Sequence, residues 1–230
     1  MSFRFRDRRQ AGRFLADKLE ARAGDHRVIV LALPRGGVPV GFEVARRLGA
    51  PLDIFLVRKL GAPGEVELAL GAVATGGVSI LNEEIIASLG ISHDQVREIM
   101  ERERTELHRR ELLYRPSAER LNLNSRIVIL VDDGLATGAT MRASVAAVRE
   151  EQPARTVVAV PVASPDTYAL FQRLADETVC VQTPKDFRGV GQWYENFTQT
   201  SDDEVRALLE EAAAFREPAP AAAGAKYADL

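Results

Sequence analysis

The chain has 230 residues, 46% of them hydrophobic and 27% charged, with a net charge of −3. That length allows one large domain or two small ones around a sizeable core, and the acidic balance argues against DNA as a partner, because phosphate-backbone binding needs a cationic surface. No apolar run reaches the roughly 18 residues of a membrane helix, no signal-peptide core follows the first basic residues, and the lone cysteine, Cys180, excludes an internal disulfide, so a cytoplasmic protein without a membrane partner is expected.

The first segment, MSFRFRDRRQAGR, is locally basic but soon meets Asp17 and Glu20, which reads as a solvated helix face. Short β-branched runs then recur: VIVLAL (28–33), DIFLV (53–57), RIVILV (126–131), TVVAVPV (156–162) and TVCVQ (178–182). Such runs suit strands buried on both faces, as in a parallel sheet. Helical patterns at 37–48, 139–151 and 165–175 alternate with them. The expected fold is therefore α/β, a doubly wound and mostly parallel sheet.

Between these elements, residues 61–81 are punctuated by glycine and proline, and two short strands around Thr75-Gly76-Gly77 predict a hairpin. Residues 82–115 read as a helical insertion with Asn82 and Ser92 as N-caps and Val96, Met100, Leu107 and Tyr114 on one face. Ser201-Asp202-Asp203-Glu204 opens a final helix to about Phe215. One domain over 1–216 and a disordered tail over 217–230 are expected.

The stretch VILVDDGLATGAT (128–140) concentrates the chemistry. In an open α/β sheet, ligands bind at the carboxyl ends of strands, and Asp132 and Asp133 lie at such an end. The loop of Ala136, Thr137, Gly138, Ala139 and Thr140 then enters a helix. Small residues let backbone N–H groups approach an anion, and the helix N-terminus adds unpaired donors. This is a phosphate cradle without a Walker lysine. Bare carboxylates beside it suit sugar hydroxyls or a divalent cation, and a ribose 5-phosphate group satisfies both halves. The acid pair alone reads as an ordinary strand-to-helix turn; the whole stretch reads as a site.

That stretch resembles the signature of type I phosphoribosyltransferases, which pass the ribosyl phosphate of phosphoribosyl pyrophosphate (PRPP) to a nitrogen nucleophile. LPRGGVPVG (33–41) is similar to the family's pyrophosphate loop, and LVRKLGAPG (56–64) to the arginine-lysine pair that precedes the catalytic loop of adenine phosphoribosyltransferases. The resemblance spans about residues 27–183. It implies that Arg35, Arg58 and Lys59 meet the leaving-group charge and that Gly36 and Gly37 bring backbone amides to it. It further implies that Asp132 and Asp133 hold the ribose hydroxyls, residues 136–140 hold the 5-phosphate, and Mg²⁺ lies near the acids, reached through hydroxyls or water. The family's cis peptide is expected at Leu33–Pro34, where proline makes cis cheap.

The acceptor is expected to be a heterocyclic base. Enzymes of the family that take 6-oxopurines carry an acid where this chain has Ala136, and a lysine on the strand that here reads VVAVPVAS (157–164), so hypoxanthine and guanine are disfavoured. Adenine, uracil and orotate stay open. A small hood over about 184–200 should cover the base, with Phe187, Trp193 and Tyr194 available to stack on it and Phe197 expected to pack the hood down. Cys180 reads as a buried, inert thiol, and the three histidines have no metal spacing. A non-catalytic PRPP-binding regulator on the same fold is the competing reading. RNA binding and a homodimer stay open.

Overall fold

The computed structural model describes residues 3–63, 65–115 and 122–213. The expected tail at 217–230 and the predicted helix end near Phe215 lie outside the described residues. In chain order the elements are α1 (Arg8–Leu19), β1 (Val28–Ala32), α2 (Gly37–Leu48), β2 (Leu52–Ile54), β3 (Val57–Ala62), β4 (Glu65–Ala74), β5 (Ser79–Leu81), α3 (Glu83–Ser88) and α4 (His93–Tyr114). They continue with β6 (Ile127–Val131), α5 (Ala139–Arg149), β7 (Arg155–Val162), α6 (Pro165–Leu174), β8 (Glu177–Gln182) and α7 (Asp202–Ala212).

Five strands form a parallel sheet in the order β2-β1-β6-β7-β8. Alternate residues feed opposite faces. Val28, Val30 and Ala32 pack with α1, α2 and α7, whereas Ile29 and Leu31 pack with α5 and α6. Both faces are covered, which is why the strands read as continuous apolar runs. No described helix is long and apolar enough to cross a membrane.

The run DIFLV is two strands, not one. It ends in the parallel sheet at Ile54, and the chain then crosses into an antiparallel sheet, β3-β4-β5. Thr75 makes the crossing by closing a mutual pair with Leu56: its Oγ1 accepts from Leu56 N at 2.9 Å and its N–H donates to Leu56 O at 2.8 Å. Arg58 and Lys59 therefore sit inside β3 rather than at the carboxyl end of a parallel strand. The hairpin expected around Thr75-Gly76-Gly77 is the β4–β5 turn, closed by Ala74 N–H donating to Val78 O at 2.9 Å.

Residues 83–114 form two helices capped as expected: Asn82 Oδ1 accepts from Ile85 N, and Ser92 forms a capping box with Gln95. Val96, Ile99, Leu107 and Tyr114 are the buried face of α4. The N-terminal segment is not merely a solvated face. Phe5 is fully buried and pairs with Tyr194, donating to Trp193 O and accepting from Glu195 N, both at 2.8 Å.

The cis peptide falls at Pro34–Arg35, one bond beyond the expected Leu33–Pro34. Proline lowers the cis cost only of the bond before it. Here the cis bond lies inside a turn in which the Leu33 carbonyl accepts from Gly37 N–H at 3.0 Å.

Candidate functional site

β6 runs out at Val131 and delivers Asp132 and Asp133 to the carboxyl edge of the sheet, beside the turn after β1. Each acid has one oxygen engaged by the protein. Asp132 Oδ1 accepts from Asp133 N–H, and Asp133 Oδ2 accepts from Arg8 Nε, both at 2.8 Å. No other described residue donates to Asp132 Oδ2 or Asp133 Oδ1, while the Asp133 backbone N–H also bonds to its own carboxyl. Burial pushes the Asp132 carboxyl well above the usual range, and the neighbouring Asp133 charge pushes it the same way. Burial also raises Asp133, while the Arg8 guanidinium pulls it back.

The loop that follows is pinned from the β7–α6 side. Leu135 pairs with Ala163, donating to Val162 O at 2.9 Å, and Thr167 Oγ1 donates to the Ala136 carbonyl at 2.6 Å. Gly138 turns the chain into α5 with φ of 68°, and an added Cβ would stand 2.5 Å from the Phe171 ring. Ala136 and Thr137 are exposed. Among the described residues, the only side-chain acceptor at the first α5 N–H groups is Thr137 Oγ1, at 3.5 Å from Ala139 N. The start of α5 thus has no side-chain cap at Gly138, which leaves backbone donors that could meet an anion.

The turn after β1 lies against the acids. A Cβ on Gly36 would fall 2.1 Å from Asp133 Oδ2, and one on Gly37 would fall 2.7 Å from Val131 O. Gly37 N–H closes the turn on Leu33, so it does not offer its amide to a ligand in this conformation. Arg35 lies 3.7 Å from Asp202 at the start of α7. The same Asp202 Oδ1 accepts from the Tyr114 hydroxyl at 2.6 Å, and burial with this contact pushes Tyr114 up to about 12.

Arg58, Lys59 and Thr140 line one cavity of about 600 Å³, so the β3 cations and the phosphate loop are brought together. Glu103 of α4 reaches into this group and takes Arg58 by two nitrogens, at 2.7 and 2.6 Å. Helix α4 thus supplies site residues, Glu103 and Tyr114, that its charge pattern did not announce.

The hood aromatics divide differently from the sequence reading. Trp193 and Tyr194 are buried in a small cluster with Phe5, Ala11 and Val162, and Phe187 packs against it. The Tyr194 hydroxyl donates to the Asp133 carbonyl at 2.6 Å. Phe197, expected to be packed away, is 38% exposed. Aromatic residues in a loop carry no period to separate rings that anchor it from rings that face a cleft.

Sequence reasoning missed Arg8. Besides holding Asp133, its Nη1 donates to Thr198 O at 2.7 Å, and its guanidinium lies 4.0 Å over the Phe197 ring. The only signal was a cation at the first position of an N-terminal helix, with nothing local to say which way it faces.

The raised Asp132 carboxyl has a stability consequence. A carboxyl raised on folding contributes most at low pH and loses that contribution as pH rises through its folded value. Asp132→Asn is therefore expected to stabilise the ligand-free protein at neutral pH by about 0.5–2 kcal/mol. The gain should fade as pH falls through the raised value. Urea denaturation of both proteins at neutral and acid pH checks this.

Three comparisons bear on this geometry. A family model described as the phosphoribosyl transferase domain matches residues 6–198. A Mycobacterium tuberculosis protein provisionally named a phosphoribosyl transferase, found in two strains, is 46% identical over 208 residues, which is 90% of this chain and 47% of the relative. The chain thus spans about half the length of the curated relatives it matches. The crystal structure of a Thermus thermophilus protein, TT1426, is 45% identical with a TM-score of 0.82, over 91% of this chain and 99% of that one.

Proposed function

The chain belongs to the phosphoribosyl transferase domain family, and from that premise we propose that it transfers the ribosyl phosphate of PRPP to a nitrogen acceptor and releases pyrophosphate. The C1–oxygen bond to pyrophosphate breaks and a C1–nitrogen bond forms. One observation carries the reading: among the described residues no other residue donates to Asp132 Oδ2 or Asp133 Oδ1, and both lie next to a helix start without a side-chain cap. Two acceptors match the two hydroxyls of a vicinal diol, and residues 136–140 match its 5-phosphate.

The work of the protein is mainly electrostatic and positional. As C1–oxygen cleavage proceeds, negative charge grows on the departing pyrophosphate and positive charge on the ribose. Arg35, Arg58 and Lys59 stabilise the first, and the acid pair lies near the second. Among the described residues no group of three or more acids, histidines or cysteines could hold a metal. Mg²⁺ fits as an ion carried by the substrate's own oxygens, with Asp132 and Asp133 touching it through hydroxyls or water. When bound it neutralises leaving-group charge. Ala136 offers no acid to exchange a proton with a 6-oxopurine, so the acceptor proposed is a base other than hypoxanthine or guanine. The lone Cys180, partly buried rather than buried as expected, accords with a reducing compartment, and a cytoplasmic location is proposed with it.

A second reading, a PRPP-binding regulator without transfer activity, draws support from the carboxylates already beside two of the cations, Glu103 on Arg58 and Asp202 near Arg35. Pyrophosphate release from PRPP and Mg²⁺ against adenine, uracil, orotate and hypoxanthine separates the two. Release with one of the first three supports transfer. Binding of PRPP without release from any base supports the regulator, and absence of PRPP binding removes both.

A further inference from the structure

We propose that Arg8 is a positioning residue for ribose recognition: it fixes the plane of the Asp133 carboxylate, so that the free oxygen is aimed at the diol, and ties that acid to the hood. Three elements meet on this one side chain. Its Nε holds Asp133 Oδ2 at 2.8 Å, its Nη1 holds the Thr198 carbonyl at 2.7 Å, and its plane lies 4.0 Å over Phe197. The side chain is only 11% exposed, and Asp133 only 14%, so the pair is weakly screened and its geometry is defined by packing.

The carboxylate of Asp133 can rotate about its last bond, and an unrestrained one would point its lone pairs over a range of directions. Arg8 removes that freedom by holding one oxygen, which sets the plane of the group and the direction in which the other oxygen accepts from a hydroxyl. The guanidinium also balances the second negative charge of the acid pair. Lysine could supply the charge, but its single ammonium on a flexible stem does not reproduce two donors at fixed angles with a ring beneath them. The link to Thr198 means that the hood and the ribose-grasping acid move as one unit.

This inference rests on the proposed binding of ribose 5-phosphate groups, and the test separates the two. Calorimetric titrations would use PRPP, ribose 5-phosphate, 2-deoxyribose 5-phosphate and pyrophosphate, each with Mg²⁺, on the wild type and on Arg8→Ala, Arg8→Met and Arg8→Lys. Arg8→Met keeps an apolar stem on Phe197, so a loss common to Ala and Met is not a packing loss. The expected result is that Ala and Met weaken ribose 5-phosphate and PRPP about tenfold and leave pyrophosphate unchanged, with Lys recovering part of the loss. The wild-type preference for ribose over 2-deoxyribose 5-phosphate should shrink in the Ala variant, because the two deletions remove one coupled interaction. Wild-type binding with no change in the Ala and Met variants overturns the inference alone, as does an equal loss for pyrophosphate. Absence of wild-type binding to PRPP and ribose 5-phosphate overturns the proposed function as well.

Discussion

Asp133→Asn is expected to weaken ribose 5-phosphate binding about a hundredfold while sparing pyrophosphate. Two charge-assisted hydrogen bonds are at stake, one to the diol and one from Arg8 at 2.8 Å. Such bonds contribute roughly 1.5–3 kcal/mol each, and a hundredfold change is about 2.8 kcal/mol. The amide also leaves the Arg8 guanidinium, 11% exposed, against a neutral partner. A partly buried cation stripped of its counter-ion costs about 3 kcal/mol, the low end of what breaking a buried pair costs. The variant should therefore lose affinity, which calorimetric titration measures, whereas the stability lost with the Arg8 pair is offset in part because folding raises Asp133 as it raises Asp132. Asp132 accepts no hydrogen bond from Arg8, so Asp132→Asn should be the more stable of the two variants, which urea denaturation checks. Unchanged ribose 5-phosphate affinity in Asp133→Asn would mean that the acid pair does not grasp the sugar.

Gly36→Ala is expected to cost nearly as much affinity, on the order of 100-fold, and to lose the stability that the Arg8–Asp133 pair contributes without unfolding the chain. Gly36 has φ of −61° and ψ of −33°, which alanine adopts without strain. The obstacle is spatial. The new methyl would stand 2.1 Å from Asp133 Oδ2 and 2.7 Å from its Cγ, with Arg8 Nε behind at 3.3 Å. The short Asp133 side chain can swing aside, so the backbone need not move, but the bond to Arg8 and the aim of Oδ1 go with it. Gly37 differs in kind: its Cβ would meet the Val131 carbonyl at 2.7 Å, which only a backbone shift relieves. The check is a cooperative thermal transition at a melting temperature below that of the wild type, together with the loss of ribose 5-phosphate binding. A variant that unfolds, or one that binds normally, contradicts the packing argument.

What was legible in the sequence is what is contiguous. The acids, the small-residue loop and the start of α5 lie within thirteen residues, 128–140, and each follows from local backbone chemistry. The parallel sheet and the caps of α3, α4 and α7 were legible for the same reason. Contacts set by tertiary packing were not. Arg8 is separated from Asp133 by 125 positions and from Thr198 by 190; Arg58 meets Glu103 across 45. Apolar runs also do not record which sheet a strand joins, so DIFLV read as one strand where the chain changes sheets at Phe55 and Leu56. Trp193 and Tyr194 were read as rings for a ligand, and their burial against Phe5 could only come from knowing where the first residues return.

The joining of Phe5 and Arg8 to residues 193–198 sets a timetable for biosynthesis. Arg8 leaves the ribosome ahead of its partner Thr198, which is translated 190 positions later. At about 5–20 residues per second, a nascent chain waits roughly 10–40 s before Arg8 can bridge Asp133 to Thr198. During that interval the aromatic Phe5 has no seat and must be kept from other hydrophobic surfaces. Assembly of this corner of the molecule thus waits for residues 193–198, although Asp132, Asp133 and the loop after them emerge well before.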